Sequence, residues 1–307
     1  WRNQRVWVSG EGASMVTRPP RQPVTMRHLL SHQAGLTYGT ALLPPGTAPH
    51  PVEAAYQALN VGTRNGDSLA TLVDKLGRVP LRYEPGEAWA YSFATDVVGH
   101  LVELFSGLPF ERFLQDRLFA PLGMVDTHFT VPIEKAERLA SCYAHVPNGP
   151  PKRVDDGPSS AWLEVPALHS GGGGLVGSLA DYHRFCEMLR RGGELEGVRV
   201  LGPRTLALMR QNHIAGGRDV RQAAVDGFAE PLMQGIGFGL GFATTLSDVA
   251  AGVPGGGDFF WSGLASTLFW VDPREDLVAI FMTQLIPSRT YNLRGPMKSI
   301  VYSSIVE

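Results

Sequence analysis

Residues 25–36 read Thr25-Met26-Arg27-His28-Leu29-Leu30-Ser31-His32-Gln33-Ala34-Gly35-Leu36. Two histidines stand four apart, the spacing of zinc ligands on one face of a helix. A zincin carries Glu directly after its first histidine, and here that place holds Leu29. None of the remaining histidines is singled out as a third ligand. The pair therefore reads as structural, with ring nitrogens bonded to nearby backbone or side-chain groups, and no metal is expected.

Outward from this stretch, helical patterns dominate as far as about residue 235. Residues 95–106 keep Val97, Val98, Leu101, Val102 and Phe105 on one face, and Gly107 is the stop. Residues 109–118 follow, with Phe110, Phe113, Leu114 and Leu118 as the buried stripe. Residues 178–191 begin with Ser178 as a cap and Asp181 where a capping-box acid would stand. There Leu179, Tyr182, Phe185, Cys186 and Leu189 face inward. Shorter helices are expected over 52–59, 69–76 and 203–211. Beyond 235 the pattern changes to strands over 238–244, 259–263, 267–271 and 277–284, with a turn at 272–276 and a closing helix near 295–305. Residues 277–282 show no polar alternation and read as a strand covered on both faces.

Composition removes several classes of function. The 307 residues are 44% hydrophobic, enough for one large domain or two interleaved ones. Thirty-six glycines and 23 prolines make a loop-rich globular chain rather than a disordered one. Lys and Arg number 27 against 29 Asp and Glu, and no block of like charge occurs, so a nucleic-acid partner is excluded for want of a basic face. No apolar run approaches the ~18–20 residues of a membrane span. Cys142 and Cys186 have no C-x-x-C spacing and read as two buried thiols of a reducing compartment, which points to the cytoplasm. The opening, Trp1-Arg2-Asn3-Gln4-Arg5-Val6-Trp7-Val8, has no signal-peptide pattern and reads as internal sequence.

Two negative readings narrow the chemistry. Gly171-Gly172-Gly173-Gly174 lies before a capped helix but lacks the lysine of a phosphate-binding loop, so it reads as a close backbone approach to an active site. Ser14, Ser68 and Ser159 each have Gly two residues before but not two after, which rules out the nucleophile elbow of an α/β-hydrolase.

Three segments taken in order are more specific. Residues 25–36 resemble the "RHLLTHTSGL" segment of serine hydrolases with the beta-lactamase and penicillin-binding-protein fold. Tyr91-Ser92-Phe93, preceded by Pro85-Gly86 and leading into a helix, resembles their Y-x-N loop with its catalytic tyrosine. Trp261-Ser262-Gly263 is similar to their K-T-G or W-x-G triplet on a strand. Within that superfamily the details resemble family VIII carboxylesterases, relatives of class C beta-lactamases. Phe93 stands where beta-lactamases have Asn, and Trp261 where they have the Lys that holds the lactam carboxylate. Aromatic residues at both places favour an uncharged apolar ester.

The resemblance implies an α+β, beta-lactamase-like fold: an antiparallel sheet flanked by helices, formed by 1–20 and 235–307, with a mainly helical domain inserted at 21–234. It implies a serine hydrolase that cleaves short-chain carboxylic esters through an acyl-enzyme, with no cofactor. Tyr91 would be the acid–base group and the Leu264 N–H an oxyanion donor. Trp261, Ser262, Gly263, Ser92 and Phe93 would contact substrate. One departure is large: the nucleophile belongs to an S-x-x-K motif, and three residues before Lys75, Lys135, Lys152 and Lys298 stand Leu72, Pro132, Gly149 and Gly295. The serine and lysine are therefore expected from a segment upstream of this chain, which would also pair with strand 277–284. An acyltransferase with the same residues and a non-catalytic binding protein of this fold are the alternatives.

Overall fold

The computed structural model describes residues 1–41, 46–63, 65–225, 233–288 and 290–306. They form two compact units, one of Trp1–Phe113, Ala167–Gly174 and Gln211–Gly241, the other of Leu114–Pro166, Leu175–Arg210 and Phe242–Glu307. Both units combine helices with mainly antiparallel strands, as the expected α+β class requires.

The first unit opens with a hairpin, β1 (Val6–Ser9) and β2 (Val16–Arg18), followed by α1 (Met26–Leu30), α2 (Pro51–Ala58) and α3 (Leu69–Arg78). Next come α4 (Ala94–Ser106) and α5 (Phe110–Leu114), and later α8 (Val220–Ala223) and β7 (Ile236–Phe238). Thr25 starts α1 by accepting the His28 N–H, while His28 Nδ1 accepts the Thr25 N–H. Helix α4 packs on α1 and α3. Val97 is buried, but Phe105, expected on the inner face, is 79% exposed beside exposed Leu104. Periodicity marks a helix face; how far neighbouring helices reach along it is a tertiary matter.

In the second unit the expected strand 238–244 is broken. β8 (Ala243–Thr245) begins only after Gly241, whose φ of +102° interrupts the extended run that β7 starts. β9 (Phe259–Ser262) pairs antiparallel with β8 and with β10 (Leu268–Asp272), and β10 pairs with β11 (Leu277–Phe281). The turn between β10 and β11 is fixed by Asp272 Oδ1, which accepts the N–H groups of Arg274 and Glu275 at 2.8 and 3.2 Å.

Alternation along these strands assigns the two faces. Phe259, Phe269, Val271, Val278 and Ile280 join Cys186, Met188 and Leu189 of α6 (Leu179–Arg190) in one hydrophobic core. On the opposite face Phe260 lies under Lys298 of α10 (Arg294–Ser303). Every residue of β11 stays half-buried, because among the described residues only β10 pairs with it. The strand expected to be covered on both faces is only half-buried and, among the described residues, lies at the sheet edge; it stops at Phe281. The chain instead adds a short β12 (Leu285–Ile286) parallel to β3 (Cys142–Ala144), which pairs with β4 (Lys152–Asp155).

Smaller elements complete this unit: α7 (Pro203–Met209), α9 (Asp248–Ala251) and the hairpin of β5 (Glu194–Leu195) and β6 (Val198–Arg199). Ser178 caps α6 as expected, but Leu179 is exposed and Asp181 does not complete a capping box. Its carboxylate accepts instead from the Asp126 N–H at 2.7 Å and the Thr127 hydroxyl at 2.8 Å. Cys186 is buried; Cys142, expected to be so, is half-buried on the short middle strand of the β12-β3-β4 sheet. No helix among the described residues is long and apolar enough to cross a membrane.

Candidate active site

The decisive stretch builds the floor of a site in the first unit. After α1 the chain turns back at His32 and Gly35, both with positive φ. Gly35 is required there, since a Cβ would lie 2.5 Å from the Tyr83 carbonyl oxygen and 2.8 Å from Leu81 Cβ. Residues 33–35 are then strapped to 82–86: Arg82 N–H donates to the Gly35 carbonyl and Gly86 N–H to that of Gln33. Helix α1 ends before His32, so the two histidines share no helix face. His28 Nδ1 is occupied by its cap, and His32 Nδ1 lies 3.2 Å from Ser92 Oγ. Burial lowers the pKa of both, for His32 to about 3. The expectation of bonded ring nitrogens agrees with these contacts.

Tyr91 stands on this floor in an aromatic cage. Its ring meets His32 and Tyr38 edge-on at 4.9 and 5.0 Å and stacks with Trp89 at 6.4 Å. Phe93 is buried and packs on Tyr38 at 4.7 Å, and Ser92 is buried against His32. Tyr38 was not reached by sequence reasoning, although it lies two residues beyond Leu36. Burial first, then Tyr91 and Asp96 beside it, raise its pKa well above the ordinary phenol value, so Tyr38 is a fixed neutral hydroxyl facing that of Tyr91.

Helix α4 begins directly after Phe93, and its third residue, Asp96, is wholly buried. The Ser170 hydroxyl donates to Asp96 Oδ1, and the N–H groups of Gly171 and Gly172 favour its charged form. Burial outweighs them and pushes the carboxyl up. Here lies the reason for the glycine run. A Cβ on Gly171 would overlap the Thr95 carbonyl, and one on Gly172 would stand 2.6 Å from the Tyr38 hydroxyl oxygen. Gly171→Ala should therefore cost about 3 kcal/mol or more, the upper end of overpacking, whereas Gly173, with nothing near its Cβ position, should accept Ala with little change. Thermal unfolding of the two variants checks this.

The other expected site residues belong to the second unit. Trp261 pairs across the sheet with Phe269 and packs against the α6 core, while Ser262 is exposed on the alternate face. Gly263 begins the turn to β10: its N–H donates to the Thr267 carbonyl at 2.8 Å, and Leu264 is exposed at the tip. Ser266, at a φ of +67°, closes the turn and donates its hydroxyl to the Leu285 carbonyl.

Comparison with known proteins bears on this arrangement. The family model described as Beta-lactamase matches residues 6–295. The chain belongs to the beta-lactamase family. Similar proteins include Protein Rv1367c of Mycobacterium tuberculosis, 31% identical over 283 residues that cover 88% of this chain and 65% of that protein. Esterase EstB of Burkholderia gladioli is 30% identical over 284 residues, 85% of this chain and 64% of EstB. Among solved structures, EstCE1, a hydrolase with promiscuous acyltransferase activity, superposes with a TM-score of 0.73 at 28% identity, covering 94% of this chain and 72% of EstCE1. This beta-lactamase-family chain thus spans about two thirds of the length of these relatives, and it has the beta-lactamase-like α+β fold.

Proposed function

We propose that the full-length protein is a serine hydrolase that cleaves short-chain carboxylic esters through an acyl-enzyme. The observation that carries this reading is the setting of Tyr91, a tyrosine ring held by His32, Tyr38 and Trp89 at the entrance to α4. Tyr91 is the acid–base group. A phenol with an ordinary pKa near ~10 is a poor base unless a cation stabilises its phenolate. Burial keeps His32 neutral, and the family resemblance assigns the cation to the lysine of an upstream S-x-x-K segment, whose serine is the nucleophile.

In acylation the serine hydroxyl gives its proton to the Tyr91–lysine pair as its oxygen bonds the ester carbonyl. The same proton then passes from Tyr91 to the departing alcohol, and water repeats the cycle on the acyl-serine. The Leu264 N–H and that of the nucleophile would hold the oxyanion, each such donor being worth ~10²–10³ in rate. Phe93 acts here by bracing Tyr38, and Ser92 by anchoring the loop on His32. The family resemblance assigns Trp261, Ser262 and Gly263 to contact with an uncharged ester. Among the described residues β11 pairs only with β10, which supports an upstream strand, since an apolar strand with one unpaired side is an aggregation template.

A serine-directed phosphonate should label the upstream S-x-x-K serine of the full-length protein and no serine within residues 1–307. Labelling inside these residues would overturn the nucleophile assignment. The promiscuous acyltransferase activity named for EstCE1 favours one second reading, acyl transfer to an alcohol. Product analysis with an added alcohol acceptor separates transfer from hydrolysis.

A further inference from the structure

His32 has no part in the proton transfers above, yet it is built into the site at a cost. Its backbone takes a φ of +55°, an uncommon conformation for a residue other than glycine, and its polar ring is only 2% exposed. An aliphatic residue would fill the same volume without burying a ring nitrogen. Residue 32 makes contacts on both sides of Tyr91, some through its backbone and the rest through the imidazole ring. Its carbonyl accepts the Ala90 N–H at 3.0 Å and the Tyr83 hydroxyl at 3.2 Å. Its Nδ1 lies 3.2 Å from the Ser92 hydroxyl, which also accepts the N–H of Ala94, the first residue of α4. Its ring lies edge-on to Tyr91, Phe238 and Trp89.

We infer that His32 is the positioning residue for Tyr91: its ring holds the Ser92 hydroxyl that accepts from the start of α4 and lies edge-on to the Tyr91 ring, so that the phenol oxygen is held where the proton must move. The inference rests on the reading of Tyr91 as the acid–base group. Because burial keeps the imidazole neutral, it supplies location and no charge.

The test uses the full-length protein and p-nitrophenyl butyrate. His32→Phe keeps an aromatic ring and loses Nδ1; His32→Asn restores a polar atom near the Nδ1 position and tolerates positive φ better than most residues. His32→Phe should lower kcat about 10–100-fold, the scale of a small misplacement of a reacting group, with KM unchanged, and His32→Asn should recover most of the loss. In a Tyr91→Phe background His32→Phe should change the residual rate less than about twofold, since orienting a ring without its hydroxyl has no effect on proton transfer. Unchanged kcat in His32→Phe, or the same proportional loss in both backgrounds, overturns the inference. Should neither His32 variant fold, Ser92→Ala decides: a kcat-only loss supports positioning, and unchanged kcat overturns it. Full activity of Tyr91→Phe alone removes the reading of Tyr91 and the inference with it, whereas an inactive Tyr91→Phe beside a fully active His32→Phe removes only the inference.

Discussion

Tyr91→Phe in the full-length protein should lower kcat for a short-chain aryl ester by about 10³-fold or more, within the range for loss of an acid–base group, and leave the melting temperature almost unchanged. The substitution keeps the ring that packs on His32, Tyr38 and Trp89 and removes one oxygen. A loss confined to kcat is the signature of an interaction made in the transition state. If the tyrosine served packing alone, the same variant would hydrolyse esters at a near-normal rate, and steady-state kinetics would show it directly.

Breaking the buried ion pair of the second unit should have the largest effect on stability. Lys298 is 1% exposed and Asp258 not at all. The lysine donates to Asp258 Oδ2, while Thr245 donates to Oδ1 at 2.6 Å and the Phe260 ring lies 4.8 Å from Nζ. Lys298→Met would leave a buried carboxylate without its cation, which typically costs about 3–5 kcal/mol. Burial already raises the Asp258 pKa, and loss of Lys298 raises it further. A carboxyl whose pKa is higher folded than unfolded takes up a proton on folding, so stability falls as pH rises through that interval. The deficit of Lys298→Met relative to the parent should therefore be greatest at neutral pH and shrink on acidification. Denaturant titrations of both proteins at several pH values measure it. A second variant, with Asp258→Leu added, should regain part of the loss, because no charge is then left unpaired.

These two results would probe features of different legibility. The motif order around His28, Tyr91 and Trp261 could be read from the chain because each segment is local. Helix α4 and the turn at Asp272 were equally accessible, through period and turn chemistry over a dozen residues or fewer. The Asp258–Lys298 pair spans 40 residues, and nothing in either neighbourhood marks its partner. The same holds for Asp96 and Ser170, 74 residues apart, and for the choice of Tyr38 as the ring beside Tyr91.

By itself the sequence determined the family resemblance, the main helices, the strand run after 258 and the absence of an S-x-x-K motif, all properties of residue type at short spacing. Only the tertiary structure decided that His32 is a neutral buried ring against Ser92, that Phe105 faces outward and that β11, among the described residues, pairs only with β10. Burial is a property of what packs from elsewhere in the chain, and the pKa of a buried group and the reach of a helix face follow from that packing.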